Sequence, residues 1–289
     1  MGDVVFDFVY LLLGGGLADK LSDWMDSIMN AISVIVSAMS TPITVMSGIG
    51  CSLMIIYFFM DLTNQASRDM FSFDKLVVAF IRLLVAFAIL LYAKELIDIV
   101  VDVMKAFKDW MQTSKTWFGD GSGSLMLTEE ARSDFQSHYS GIFGAIDAVF
   151  DLVKFIIPGL VAWICELVGR FLSASTMVQL MARLILAPLA IVQVFEEGTR
   201  SAGIRYIKGL FAEAITFGVM LLILNTAAVF GNTLIAEKLA ETLPGTAFNS
   251  VAVVDAVGWA EFGYIIISQL ICVGGMAGAS KIAHDVLGA

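Results

Sequence analysis

The pattern of apolar and polar positions divides the chain into long, nearly uncharged runs separated by shorter polar stretches. Residues 43–60 (ITVMSGIGCSLMIIYFFM) and 76–93 (LVVAFIRLLVAFAILLYA) are the first two, and further runs cover 155–172, 177–195, 209–231 and 251–278. About 20 apolar residues, each rising 1.5 Å, cross a hydrocarbon core of about 30 Å, so these runs have roughly the length of a transmembrane helix. The pattern predicts an all-α polytopic transmembrane helix bundle of about six spans with amphipathic interfacial helices.

In 21–41, Leu21, Trp24, Met25, Ile28, Ile32, Ile35 and Met39 recur at helical spacing, while Asp23, Asp26, Asn30 and Ser37 fall largely elsewhere. That is a helix lying at the interface or docked on the bundle. Residues 94–111 extend the second span as another such helix, ending at Trp110, a residue type that anchors at interfaces. Residues 141–154 place Asp147, Asp151 and Lys154 on one face, and 112–140, with GDGSGS, TEE and SHYSG, read as a soluble loop. Four regions follow: 1–42, N-terminal and amphipathic; 43–111, a first transmembrane pair with its extension; 112–140, a polar central loop; and 141–289, a C-terminal transmembrane bundle.

Composition agrees. Of 289 residues 58% are hydrophobic and 15% charged, and the mean hydropathy is +0.86, which excludes an ordinary soluble enzyme. Seventeen Lys and Arg against 27 Asp and Glu leave a net charge of −10. The chain therefore lacks the basic field of a nucleic-acid binder, and a polyanion it handled would be passed through more readily than gripped. Cys51, Cys165 and Cys272 each lie in an apolar stretch and read as buried small hydrophobes. His138 and His284 form no ligand cluster, so neither metal nor cofactor is expected. The first ten residues carry Asp3 and Asp7 and no base, so no signal peptide is expected. The Gly119–Ser124 run lacks the spacing and flanking elements of a phosphate loop, and no Ser-His-Asp set, HExxH or catalytic carboxylate pair is present. The sequence does not read as an enzyme.

Arg82, Glu166, Arg170, Arg183, Glu213, Asp255 and Glu261 lie within or at the edges of apolar runs. Such groups are costly unless paired or hydrated, and by default face a bundle interior or a water path. Glu166 and Arg170, at i and i+4 with the acid first, fit a structural ion pair at the interface better than a transport site. For Arg82 snorkelling and a functional role both stay open. Arg183 and Glu213 flank the connection between the fourth and fifth runs, and the sequence leaves open whether they pair. Pro158 and Pro188 mark either a broken-helix transport site or tolerated kinks, the kinks being the commoner outcome. Gly274 and Gly278 have the spacing of a helix-packing face, within one bundle or in a homo-oligomer. With six spans, ten Lys and Arg fall on the side of the termini, against Arg68, Lys75 and Lys238 on the other. That favours cytoplasmic termini and a cytoplasmic central loop, unless 21–41 also inserts.

One block carries a resemblance. An apolar helix ends in Ala187-Pro188-Leu189-Ala190 and then Phe195, a turn follows with Glu196, Glu197, Gly198, Arg200 and Gly203, and the next helix opens Arg205-Tyr206-Ile207-Lys208. Toward the N-terminus, Tyr57-Phe58-Phe59-Met60-Asp61-Leu62 ends a span and Phe73-Asp74-Lys75-Leu76 opens the next. Together these resemble the TrbL/VirB-type polytopic membrane subunit of conjugative type IV secretion systems, in the version carried by Gram-positive mobile elements. By charge alone the block is a topology-fixing hairpin, in which the acids can pair with the bases and Gly198 and Gly203 allow the reversal. The resemblance implies a multi-pass subunit of the bacterial cell (inner) membrane. It further implies a homo-oligomer among other secretion-system subunits, a hairpin that meets the system's ATPases, and transient passage of single-stranded DNA with its attached protein, in contact with membrane lipid. It also implies an external central loop, against the charge count. The rival readings are an ion-coupled or small-molecule transporter and a non-conducting membrane scaffold.

Overall fold

The computed structural model describes residues 1–13, 16–67, 73–112, 127, 129–197, 202–242 and 251–288. Among the described residues there is no strand, and the helices are α1 (Gly2–Leu13), α2 (Gly16–Ala38), α3 (Ser40–Ser67), α4 (Phe73–Leu91) and α5 (Ala93–Gln112). After a short 3-10 turn at Glu129–Ala131 come α6 (Arg132–His138), α7 (Gly141–Lys154), α8 (Ile156–Glu197), α9 (Ala202–Thr242), α10 (Ala252–Ala256) and α11 (Trp259–Leu287). They form two compact units, the first from residues 1–27, 109–174 and 218–279, the second from 28–108, 175–217 and 280–289.

Four helices are long and apolar enough to cross a membrane: Ser40–Asn64, Ile156–Gln193, Gly203–Leu239 and Glu261–Leu287. A fifth is obtained if Leu76–Leu91 and Ala93–Met111, bent by 57°, count as one. The all-helical class stands, and among the described residues four to five helices are candidate spans, against about six expected. The runs 155–172 and 177–195 belong to a single 42-residue helix, α8. Nothing in Ser173-Ala174-Ser175-Thr176 breaks it. The Ser173 hydroxyl turns back onto the carbonyls of Gly169 (3.1 Å) and Arg170 (3.0 Å) instead of capping a new helix. At 1.5 Å per residue α8 is about 63 Å long, roughly twice the hydrocarbon thickness. The merger also changes the parity on which the charge count rested, so that count no longer assigns sides.

The two prolines do not divide α8. Pro158 occupies the third helical position, where its missing N–H would be unpaired in any case, and α8 continues through Pro188. The last span is shorter than the 251–278 run. Its helix stops at Ala256 and restarts at Trp259, so Asp255 lies exposed on short α10, outside the span. The Glu261 carboxylate accepts the Gly258 N–H at 2.8 Å, as the third residue of a helix does when it caps its own start.

In unit one, α1 is a helix that the reading of 1–42 as amphipathic did not separate. It buries Val5, Phe6, Val9 and Leu13. Its partner α6 lies in the region expected to be loop, so that expectation fails for 132–138. The Phe6 and Phe135 rings meet edge-on at 5.4 Å, and the Arg132 guanidinium sits over Phe6 while bonding Asp7 (2.7 Å) and Asp3 (3.3 Å). The Gln136 amide donates to Asp3 at 2.8 Å. The approach is close enough that a β-carbon on Gly2 would lie 2.6 Å from the Phe135 carbonyl oxygen.

The Gln136 bond, and then Arg132, hold the Asp3 carboxyl below its ordinary pKa of 3.8. A carboxylate depressed in the folded state adds stability that is present above the unfolded pKa and lost as pH falls through the folded one. The α1–α6 contact is therefore expected to loosen only below pH 3.8, with faster hydrogen exchange of α1 amides there and unchanged protection at pH 5 and 7. Because Asp3 is fully exposed, the effect is expected to be small.

In unit two, α3, α4 and the start of α5 share a core of Met54, Ala86, Leu90 and Ala93 that also takes Ile191 and Val192 of α8. A β-carbon on Gly50 would come within 3.3 Å of Leu90 and Val192, which explains the small residue there. The other faces of α3 and α4 expose Ile55, Ile56, Phe59, Val78, Ile81 and Val85, an apolar surface suited to hydrocarbon. The expected amphipathic 94–111 is α5, with Ile97, Val100, Val101 and Met104 buried and Glu95, Asp98 and Asp102 exposed. The 57° bend falls where the chain passes from apolar on all sides to two-faced.

Candidate functional site: buried charges of the helical spans

The most constrained cluster lies in unit two, where α8 and α9 carry complementary charges on facing sides. Tyr206, Gly209 and Glu213 are spaced i, i+3 and i+7, so one stripe of α9 presents all three. The Arg183 guanidinium meets Glu213 at 2.9 Å; the Glu213 side chain is 4% exposed and that of Arg183 is 38% exposed. The second Glu213 oxygen, Oε2, has no hydrogen-bond partner among the described residues. Gly209 makes room for the cation, since a β-carbon there would sit 2.9 Å from Arg183 Nη1 and 3.7 Å from the His284 ring. The Tyr206 hydroxyl donates to the Arg183 carbonyl at 2.8 Å. That carbonyl is one residue before Leu184, whose helical partner is removed by Pro188. The chemistry is that of a neutralised ion pair in an apolar span with one spare acceptor oxygen.

The remaining residues of the resemblance block are placed in part. Glu196 and Glu197 belong to the end of α8 by backbone, whereas Gly198 and Arg200 lie outside the described residues. Gly203 is buried at the start of α9, and Arg205 and Lys208 are exposed beside the tethered Tyr206. The Gly119–Ser124 run is likewise outside the described residues.

Unit one holds the second cluster. Glu166 is paired with Arg170 along α8, as the spacing suggested. It also receives Lys20 of α2 at 3.8 Å. The Trp24 indole donates to the Arg170 carbonyl at 3.3 Å, and the Arg170 guanidinium lies 5.4 Å from the Trp24 ring centre. Two cations on one carboxylate, bordered by Trp24 and Trp163, fasten α2 to α8. The Lys20 contact escaped the sequence reading because it joins residues 146 positions apart. Trp24, spaced with Leu21 and Ile28, was the available signal. Elsewhere in unit one, the Tyr139 hydroxyl donates to Asp151 at 2.7 Å; burial first, and then Asp151, push its pKa well above the ordinary 10.0.

The isolated charges are not brought together. Arg82 is exposed on α4 among exposed Val78, Ile81 and Val85, with its head free to reach a polar boundary, which fits snorkelling. Asp255 and Glu261 sit on different helices.

The structure places Gly274 and Gly278 of α11 away from its close-packed face. A β-carbon on Gly274 or Gly278 would meet nothing within 4 Å, whereas one on Gly275 would lie 2.5 Å from Ile223 of α9. One step along a helix turns the side chain by about 100°, so the close-packed face is Gly275's. Gly275→Leu is expected to cost stability in detergent, and Gly274→Leu to leave the melting temperature of the monomer unchanged. Equal losses from both would contradict this packing. No family model, curated protein or solved structure matches this chain.

Proposed function

We propose that this chain is an integral membrane component of a conjugative type IV secretion machine, a non-enzymatic subunit of the TrbL/VirB type in the bacterial inner membrane. It forms part of the passage for single-stranded DNA with its attached protein, and partner ATPases supply the energy. The observation that carries this reading is the hairpin of α8 and α9. The residues of the resemblance surround an internal lock made by Arg183, Glu213 and Tyr206, while Arg205 and Lys208 stay exposed for a partner. A hairpin that is rigid on one side and basic on the other is suited to docking. In the Ser40–Asn64 span only 17% of the most apolar window is buried, so most of that helix is left to lipid and neighbouring subunits. This supports assembly from several copies. The acidic balance suits a conduit that does not retain a polyanion. The transporter reading loses its broken-helix feature, because α8 runs unbroken through Pro188.

Passage and scaffolding are separated by crosslinking. Formaldehyde is added to mating cells, the tagged subunit is recovered, and the transferred strand is quantified on it. A passage subunit is expected to retain the strand only when recipients and ATPases are present. A recovery no higher than from an unrelated membrane protein would leave the scaffold reading.

A further inference from the structure

In unit one, a small, partly open cavity lies between α9 and α11 within their apolar spans. Its volume is about 20 Å³, and it is lined by Asn232 of α9 and by Ser268, Gln269 and Cys272 of α11. Leu11 and Leu12 of α1, with Leu17 and Ala18 of α2, also line it. Asn232 is 5% exposed and Gln269 is 4% exposed. Among the described residues, Asn232 Nδ2 and both polar atoms of Gln269, Nε2 and Oε1, have no hydrogen-bond partner. Cys272 is already engaged, its thiol directed at the Leu224 carbonyl 3.9 Å away. Ser268 is pressed against α9, where a β-carbon on Gly231 would lie 2.0 Å from its hydroxyl oxygen. Gly231 thus lets the two polar stripes meet.

Buried amides are paired in folded proteins, and two unpaired amides facing one cavity call for a ligand. The cavity's chemistry selects its class. No Asp, Glu, Lys or Arg lines it, so an ion would be buried without a countercharge. Its size exceeds the roughly 10–15 Å³ that one water molecule needs, and the two amides supply both donors and an acceptor. We propose that this cavity is a binding site for a single water molecule. The water accepts N–H bonds from the Asn232 and Gln269 amides and donates to Gln269 Oε1, linking α9 to α11 beneath the ends of α1 and α2. The site is independent of the secretion reading.

The test uses the full chain in micelles, labelled with nitrogen-15 at Asn and Gln. Cross-relaxation is recorded between water and the two side-chain amides, which are assigned by the peaks lost in N232L and Q269L. The expected result is cross-peaks at both amides with the sign of a long-lived bound water; their absence from both would overturn the proposal. Melting temperatures provide the second readout. Each single variant leaves polar groups stranded and is expected to melt lower, whereas N232L/Q269L together remove every stranded group and recover more than half of the summed loss. Simply additive losses would overturn the water bridge in favour of direct packing.

Discussion

Changing Arg183 to Ala is expected to lower the unfolding free energy in detergent by about 3 kcal/mol. Glu213 is held in a span with its side chain 4% exposed, and it meets the Arg183 guanidinium at 2.9 Å. Removing that cation leaves a buried carboxylate without a countercharge, which costs about 3–5 kcal/mol in buried pairs. The 38% exposure of Arg183 places the expectation at the lower end of that range. Glu213→Gln is expected to cost less, because the amide keeps an acceptor for Arg183 and the cation left without its countercharge is 38% exposed, not buried. The double change Arg183→Met with Glu213→Leu is expected to recover most of the loss, since a well-packed apolar pair replaces an ion pair at little or no cost. A double-mutant cycle followed by chemical unfolding reads the coupling directly. Additive losses would mean that the two side chains do not act as a pair.

Changing Arg205 and Lys208 together to Ala is expected to bring DNA transfer down to the level of a strain lacking the gene, while amount and melting temperature stay unchanged. Both side chains are exposed, so removing them creates no cavity and strands no buried group. Their neighbour Tyr206 keeps its bond to the Arg183 carbonyl, so the hairpin holds its geometry. Tyr206→Phe gives the complementary result, a modest loss of stability with Arg205 and Lys208 still in place. Transfer that stayed normal in the Arg205/Lys208 variant would remove the hairpin as a docking surface.

The elements that were legible in the sequence are those whose pattern repeats over several turns. The amphipathic 94–111 emerged as α5 because its acids and its apolar residues keep to separate faces over five turns. The division at 173–176 failed because serine and threonine are polar but compatible with a helix, and Ser173 satisfies its hydroxyl on the preceding turn. Helix α6 has seven residues, too few for a periodic signal, and it is placed by Phe135 and Arg132 against α1, more than 120 positions away in sequence. The sequence could name the buried charges, because an ionisable residue in an apolar run is conspicuous. It could not say which of them meet. Glu166 and Arg170 share one helix and were readable by spacing, whereas the pairing of Arg183 with Glu213 depends on the register of two helices. Asn232 and Gln269 escaped notice because a neutral amide carries no charge to single it out within an apolar run.

The proposal that this chain serves DNA transfer is tested by deleting its gene from the element and scoring transfer to recipients. The account predicts that transfer is lost and that the wild-type gene supplied separately restores it. Transfer that continued unchanged after deletion would contradict the account.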